Sequence, residues 1–256
     1  TDNWVNIRED ILNTVIIVQA RMTSSRLPGK VLKKVMDKTL LEYQIERLRR
    51  VRSANGLVVA TTTNSSDEPI IEECGRLGIN VFRGSEEDVL SRYYTAASEF
   101  GASDVVRVTS DCPLIDPEIM DKVIQYYQQN RNKFDYVSNT LERTYPRGMD
   151  TEVFSFKVLK EAFQEAKSQS EREHVTPFFY RNPHRFRLAS VRYNGDESRH
   201  RWTVDTQEDF ELISNIITAI YPQNPCFNMN DTLELLHEHS EWILINAMVE
   251  QKKTDS

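Results

Sequence analysis

Short apolar runs alternate with amphipathic segments along the first half of the chain. Four runs rich in β-branched residues are typical of buried strands and lie at residues 14–19, 56–62, 79–82 and 104–109. A segment with helical spacing of its apolar residues follows each run, as in Leu41, Ile45 and Leu48. Strands that alternate with helices predict an α/β, Rossmann-like fold with a mostly parallel sheet flanked by helices.

Capping signals indicate where the helices of this half begin. Ser, Thr or Asp before an apolar run accepts hydrogen bonds from the first backbone N–H groups of a helix, and Pro fits its first turn. The predicted starts are the Thr39–Glu42 capping box, Asp67-Glu68-Pro69, the Ser85–Asp88 pair and Asp116-Pro117.

The second half is less regular and predicts an elaborated C-terminal half of the same domain. Strands are expected at residues 135–138, 152–155, 185–193 and 201–204. Helices are expected over residues 157–167, from Ser170 and Glu173 to Pro177, from Thr206 to Ile220, and within residues 231–250. We divide the chain into an N-terminal extension (1–13), an α/β domain (14–220) and a C-terminal helical segment (221–256).

Composition narrows the classes of protein to consider. The 256 residues carry a net charge of −7, whereas a general nucleic-acid binder would have a basic face. The sequence shows no apolar run near the ~20 residues that a membrane helix needs. Its three cysteines (Cys74, Cys112, Cys226) lack metal-ligand spacing and are expected to be reduced thiols. These features predict a cytoplasmic protein that binds neither nucleic acid nor membrane.

A basic loop follows the first predicted strand. Residues 20–30 read ARMTSSRLPGK and include Arg21, Arg26 and Lys30 but no acidic residue. Ligands bind beyond the carboxyl ends of strands in open α/β sheets, and backbone N–H groups with basic side chains suit a polyphosphate. The loop lacks the Walker A pattern.

Two carboxylates follow predicted strands in similar settings. Asp111 comes after residues 104–109, and Asp205 comes after residues 201–204. Carboxylates at this edge of a sheet commonly hold Mg²⁺ that also contacts substrate phosphates. Asp111 could instead be a turn residue, and Asp205 could be a helix cap.

Together these segments resemble the cytidylyltransferases that activate sugars as CMP-sugars. The spore-coat polysaccharide branch is most similar, and it is related to the synthetases for CMP-3-deoxy-manno-octulosonate and CMP-acylneuraminate. The motifs that carry the resemblance are ARMTSSRLPGK (20–30), FRGSEEDVLSRYY (82–94), VRVTSDCPLID (106–116), SEREHVTPFF (170–179) and RWTVDTQEDFELI (201–213). The resemblance implies a fold of the nucleotide-diphospho-sugar transferase type.

The resemblance also implies roles for individual residues. Four residues are expected to act in catalysis: Arg21, Lys30, Asp111 and Asp205, the last two as ligands of Mg²⁺. The expected nucleotide-binding residues are Ala20, Arg21, Arg26, Lys30, Gly84, Ser85, Asp88 and Arg107. The expected sugar-side residues are Arg147, Asp150, Glu152 and His174. Ser85 and Asp88 could instead cap a helix, and Arg107 could form a structural salt bridge.

The implied reaction transfers CMP from CTP to a hydroxyl of an acidic or modified sugar used in a surface polysaccharide, with release of pyrophosphate. Two alternatives stay open at this point: a nucleotide-sugar-dependent glycosyltransferase, and a non-catalytic nucleotide-binding protein. The sequence lacks the Asp-x-Asp motif that such glycosyltransferases usually use. The resemblance also implies a homodimer that pairs through the second half, where residues 178–180 and 242–245 are apolar clusters outside the predicted sheet, although these clusters could instead complete the core.

Overall fold

The structure, a computed structural model, describes residues 13–251. The strands described in that range are β1 (Thr14–Gln19), β2 (Lys34–Val35), β3 (Lys38–Thr39), β4 (Gly56–Thr62), β5 (Asn80–Gly84), β6 (Asp104–Thr109), β7 (Tyr136–Ser138), β8 (Glu152–Ser155) and β9 (Leu188–Ser190). The α-helices are α1 (Leu40–Leu48), α2 (Glu68–Leu77), α3 (Val89–Glu99), α4 (Pro117–Gln129), α5 (Phe156–Glu165), α6 (Gln169–His174), α7 (Pro177–Tyr180), α8 (Gln207–Ile220) and α9 (Met229–Glu238). Short 3₁₀ helices span Lys30–Leu32, Ser65–Asp67 and Ser240–Leu244.

The main sheet is mostly parallel, as predicted. Its strand order is β5-β4-β1-β6-β8-β7-β9. The first four strands pair in parallel, and β8 runs antiparallel to both β6 and β7. The carboxyl ends of β1, β4, β5 and β6 therefore meet at one edge, which is where ligands bind in such sheets.

Alternate residues of β1 enter two different cores. Val15 and Ile17 pack with α3 and α5, whereas Ile16 and Val18 pack with α1 and α4. A strand buried on both faces needs an uninterrupted apolar run, which explains its sequence TVIIVQ. A third core joins α8 and α9 to Leu40 and Tyr43 of α1.

Two predicted helix starts are wrong in detail. The cap of α3 is Asp88, which accepts a hydrogen bond from the Ser91 N–H, while Ser85 accepts one from Asp88 in the preceding turn. The N-cap of α6 is Ser168, two residues before the predicted Ser170, because Ser168 and Glu171 form a capping box of their own.

Two predicted strands are also corrected. Residues 201–204 do not form a strand, since Arg201 makes only an isolated bridge with Arg147 and Val204 bonds to the Asp111 carbonyl. The strand expected at residues 185–193 shortens to β9, because Arg185 and Phe186 lie in a turn bonded to the Asn182 carbonyl.

The remaining strand and helix predictions agree with the structure to within a few residues. The N-terminal extension lies outside the described residues except for Asn13, and the division of the chain at residue 220 stays a prediction. Within the described residues, the structure has no helix long and apolar enough to cross a membrane.

Candidate active site

A polar cavity opens at the carboxyl edge of the parallel strands, between the 20–30 loop and α3. Residues from β1, from the loop, from the end of β6, from α3 and α6, and Asp205 line it. They are Gln19, Ala20, Arg21, Ser24, Ser25, Arg26, Lys30, Val89, Arg92, Thr109, Ser110, Asp111, Glu173, His174 and Asp205. The fold thus brings the basic loop and both candidate carboxylates to one place.

The backbone of the loop is held from both ends. Gly29 adopts a left-handed φ of 68°, which a glycine adopts without strain, and its N–H donates to the Met22 carbonyl at 2.9 Å. The Met22 N–H donates to the Asp67 carboxylate at 2.8 Å. Asp67 is buried and also accepts hydrogen bonds from Thr61 and Thr62. The loop is therefore fixed to the end of β4 before any ligand binds.

Lys30 contacts both candidate carboxylates. Its Nζ lies 2.7 Å from Asp205 Oδ1 and 3.7 Å from Asp111 Oδ2. The side chain of Lys30 is 13 % exposed, so these charges interact in a largely desolvated setting. Burial opposes the charge on Lys30, but the two carboxylates raise its pKa above the usual value. Lys30 is therefore positively charged at neutral pH.

Asp205 is surrounded by three cations. Besides Lys30, Arg26 Nη2 and Arg201 Nη2 lie 3.0 Å and 2.7 Å from Asp205 Oδ2. Burial would raise the pKa of Asp205, but Lys30, Arg26 and Arg201 lower it below its usual range. The carboxylate is consequently ionised throughout the physiological range.

The setting of Asp205 answers the question that the sequence left open. The N-cap of α8 is Thr206, which accepts from the Asp209 N–H in a capping box, so the Asp205 side chain is not needed as a cap. The Val204 N–H donates to the Asp111 carbonyl at 2.8 Å. This bond ties the backbones of the two candidate metal ligands together.

The expected nucleotide-binding residues separate into two groups. Ala20, Arg21, Arg26 and Lys30 line the cavity. The others do not line it, namely Gly84, Ser85, Asp88 and Arg107. Gly84 packs against the Arg92 side chain, Asp88 caps α3 and pairs with Arg172, and Arg107 pairs with Glu152 while donating to Gln19.

The four expected sugar-side residues are not brought together. His174 lines the cavity. Glu152 is buried beneath it and bonds to Arg107 and the Tyr136 hydroxyl. Asp150 forms a bidentate pair with Arg143, with N–O distances of 2.6 and 2.8 Å. Arg147 lines a second cavity on the other side of Arg201, with His200 and Trp202.

Sequence reasoning overlooked several lining residues. Arg92 lies in the 82–94 motif and lines the cavity, and Glu86 of the same motif does not line it but contacts Arg21, Thr23 and Asn64. The remaining overlooked lining residues are Gln19, Val89, Thr109 and Ser110. Two positions at the carboxyl end of a buried strand offered a signal, since Gln19 is the last residue of β1 and Ser110 directly follows β6. Arg92 lies within a motif that carries the family resemblance, but its helical spacing alone does not distinguish it from any other basic residue of an amphipathic helix.

The charges fit a polyanion accompanied by a divalent metal. Arg21, Arg26 and Lys30 can donate charge-assisted hydrogen bonds to phosphate oxygens. Asp111 and Asp205 offer two carboxylates, and Mg²⁺ usually takes one or two of these together with water and phosphate oxygens. Within residues 13–251, no group of three or more His, Cys, Asp or Glu side chains could hold a metal. The donor set thus fits a metal that arrives with phosphates rather than a metal fixed in a protein cage.

Comparison with known proteins assigns the chain to a family. The model of the family described as cytidylyltransferase matches residues 15–240. A solved cytidylyltransferase from Leptospira borgpetersenii is 32 % identical and superposes with a TM-score of 0.87, covering 94 % of this chain and 99 % of that one.

Two further similar proteins match this chain over nearly the whole length of both chains. An uncharacterized protein of Methanocaldococcus jannaschii is 38 % identical over 92 % of this chain and 95 % of its own. The spore coat polysaccharide biosynthesis protein SpsF of Bacillus subtilis is 31 % identical over 89 % of this chain and 95 % of its own. The fold, the site and these similarities agree: the chain belongs to the cytidylyltransferase family.

Proposed function

We propose that this protein transfers CMP from CTP to a hydroxyl of an acidic or modified sugar, with release of pyrophosphate. The observation that carries the proposal is the convergence of Lys30, Asp111 and Asp205 beside the basic loop. Membership of the cytidylyltransferase family supports CTP as the nucleotide.

The proposed reaction is an in-line displacement at the α-phosphorus. The sugar oxygen forms a bond to the α-phosphorus, the bond from that phosphorus to the bridging oxygen breaks, and its electron pair leaves with pyrophosphate. The hydroxyl proton passes to solvent. Little covalent work falls to the protein, so positioning and charge stabilisation supply most of the rate.

The residues of the basic loop bind and orient the triphosphate. Arg26 and Lys30 lie on the wall that carries Asp205, and Arg21 lies near the mouth, where Glu86 contacts it at 3.4 Å. Their positive charges would stabilise the charge that develops on the leaving pyrophosphate. Because Asp67 and Gly29 fix the loop beforehand, little reorganisation is needed at the moment of reaction.

Asp111 and Asp205 would hold Mg²⁺. When bound, the metal supplies Lewis-acid stabilisation of the negative charge on the phosphoryl oxygens. In the structure, Lys30 contacts both carboxylates and Arg26 contacts Asp205. Phosphate oxygens would draw these cations away and leave both carboxylates available to the metal, which supports binding of nucleotide and metal together.

The class of sugar is proposed from similarity. SpsF is named for spore coat polysaccharide biosynthesis, and a protein of Geobacter sulfurreducens that matches 46 % of this chain is named 3-deoxy-manno-octulosonate cytidylyltransferase. We therefore propose an acidic or modified sugar destined for a surface polysaccharide as the acceptor.

Pyrophosphate release tests the proposal. The protein is incubated with Mg²⁺, one of CTP, UTP, ATP and GTP, and a panel of acidic and modified sugars. We expect release that depends on a sugar and strongly favours CTP, since a site built around the cytosine edge leaves buried polar groups unpaired with other bases. Equal turnover with UTP would contradict the cytidine assignment. Sugar transfer from a nucleotide-sugar without pyrophosphate would instead identify a glycosyltransferase.

A further inference from the structure

Arg92 on α3 lines the cavity but has no partner. Its side chain is 2 % exposed. Its Nε and Nη1 atoms are fully buried without a hydrogen-bond acceptor. Among the described residues, the other two arginines of the cavity have carboxylate partners, since Arg21 contacts Glu86 and Arg26 contacts Asp205.

An unpaired buried guanidinium is costly to the folded state. Burying a charge costs several kcal/mol unless it is paired and hydrogen-bonded. Burial lowers the pKa of Arg92 and Arg21 lowers it further, while the more distant charges of Asp67 and Glu86 and the neighbouring Tyr93 offset this only in part. A leucine or methionine would fill the same space without this cost, so packing alone does not explain an arginine here.

The surroundings hold the Arg92 side chain in place. A Cβ atom added to Gly84, at the end of β5, would lie 3.1 Å from Arg92 Cγ and 3.3 Å from its Cβ. Tyr93, the next residue of α3, anchors the helix because its hydroxyl donates to the carbonyls of Ile17 and Val108. The guanidinium is therefore preorganised, with its donors unused, beside the loop that carries Arg21.

The unsatisfied donors of Arg92 favour an anion in the cavity that Arg92 shares with Arg21. Arg21 and Arg92 approach from different elements, the β1 loop and α3, and both line the space where the substrate is proposed to bind. Holding like charges close together costs free energy in the folded state, and such arrangements cluster at functional sites. A phosphate group would satisfy the donors of both side chains through charge-assisted hydrogen bonds.

We propose that Arg92 is a substrate-binding residue that binds, together with Arg21, a phosphate group of the nucleotide. This inference rests on the proposed function, because it takes the nucleotide as the ligand of the cavity. It adds to the basic loop a cation from α3, which the sequence of the loop does not reveal.

Binding and thermal unfolding of Arg92→Met test the inference. Inorganic tripolyphosphate, pyrophosphate, CMP and CTP are titrated into the wild type and the variant without metal. We expect tripolyphosphate and CTP to bind at least tenfold more weakly to the variant, while the melting temperature of the ligand-free variant equals or exceeds that of the wild type. A role in folding alone would lower the melting temperature and leave the affinities unchanged. Arg52→Met, which removes an exposed arginine, is the matched control and should change neither quantity.

The affinities for CMP and pyrophosphate show which phosphate group of the nucleotide Arg92 binds. A loss confined to CMP places Arg92 on the α-phosphate, and a loss confined to pyrophosphate places it on the leaving group. If all four affinities of Arg92→Met stay within twofold of the wild type, the inference is overturned. Tripolyphosphate carries no base, so its affinity tests the role of Arg92 independently of base preference. A wild type that shows no preference for CTP would contradict the proposed function but not the inference about Arg92.

Discussion

At the scale of single residues, the candidate site consists of two carboxylates that form ion pairs with the surrounding cations. Lys30 contacts Asp111 and Asp205, and Arg26 and Arg201 complete the shell around Asp205. A bound triphosphate would compete with Asp205 for Lys30 and Arg26. The sequence placed these groups at one edge of the sheet, but it could not show that they are paired with each other, since residues 26, 30 and 205 meet only through the tertiary fold.

This competition predicts opposite effects of two substitutions on CTP affinity without metal. Asp205→Asn should strengthen binding severalfold because it releases Lys30 and Arg26 to the phosphates. Lys30→Ala should weaken binding by about tenfold or more, since a charge-assisted hydrogen bond contributes ~1.5–3 kcal/mol. Calorimetric titration in the presence of a chelator measures both. Asp37→Asn, at an exposed position, is the control for loss of one negative charge. If Asp205→Asn weakens binding as much as Lys30→Ala, Asp205 positions the lysine rather than competing for it.

Asp205 should also make stability depend on pH. Its pKa is lower in the folded protein than in the unfolded chain, because the neighbouring cations outweigh burial. A lowered carboxyl pKa contributes stability above the unfolded value, about 3.9, and this contribution is lost as the pH falls through the folded value. Urea unfolding should therefore show the wild type more stable than Asp205→Asn by about 3 kcal/mol at pH 7, the scale of a broken buried ion pair. The difference should shrink at pH 3, and a difference that stays constant between these pH values would contradict the assignment.

At the scale of elements, periodicity sufficed where a segment buries a regular face. Strands β1, β4 and β6 have the predicted bounds, as their side chains fill both cores. Periodicity predicted a strand at residues 201–204 that does not form, because their backbone bonds to the loops at Arg147 and Asp111 instead of to a strand. These loop contacts depend on Gly148, which has a φ of 104° and whose added Cβ would lie 2.8 Å from the Trp202 carbonyl oxygen. A close approach between segments that are distant in sequence cannot be predicted from a local sequence pattern.

Gly148→Ala should therefore destabilise the protein by ~1–3 kcal/mol, the range for a non-glycine residue forced into an unfavourable backbone region. Gly75→Ala is the matched substitution, because Gly75 lies inside α2 with no atom near the added Cβ. It should stabilise the protein by ~0.5–1 kcal/mol. Urea unfolding of both variants tests the pair. Equal effects would show that the close contact at Trp202 relaxes without cost.

At the scale of the whole molecule, the structure leaves one of the two apolar clusters that supported the expected homodimer. Phe178 and Phe179 are buried in the core, so they offer no surface to a partner. The C-terminal segment differs, since Leu244 is 72 % and Met248 92 % exposed. The dimer stays a prediction, and the exposed side chains of Leu244 and Met248 are its support.

Light scattering at micromolar concentration should give twice the chain mass of 29.8 kDa. Met248→Glu should shift the mass toward the monomer, because a charge within an apolar contact is left unpaired. Tyr126→Glu, at a residue 38 % exposed on α4, should leave the mass unchanged. A monomeric mass for the wild type would exclude the dimer under these conditions.

The central claim is that Asp111 and Asp205 act together in CMP transfer, and turnover of their asparagine variants tests it most directly. Pyrophosphate release is measured with CTP, saturating Mg²⁺ and the sugar that supports turnover of the wild type. We expect Asp111→Asn and Asp205→Asn to stay folded and to lose on the order of a thousandfold in rate, about 4 kcal/mol of transition-state stabilisation, while Asp37→Asn retains normal turnover. Near-normal turnover of Asp205→Asn would contradict a site that depends on both carboxylates.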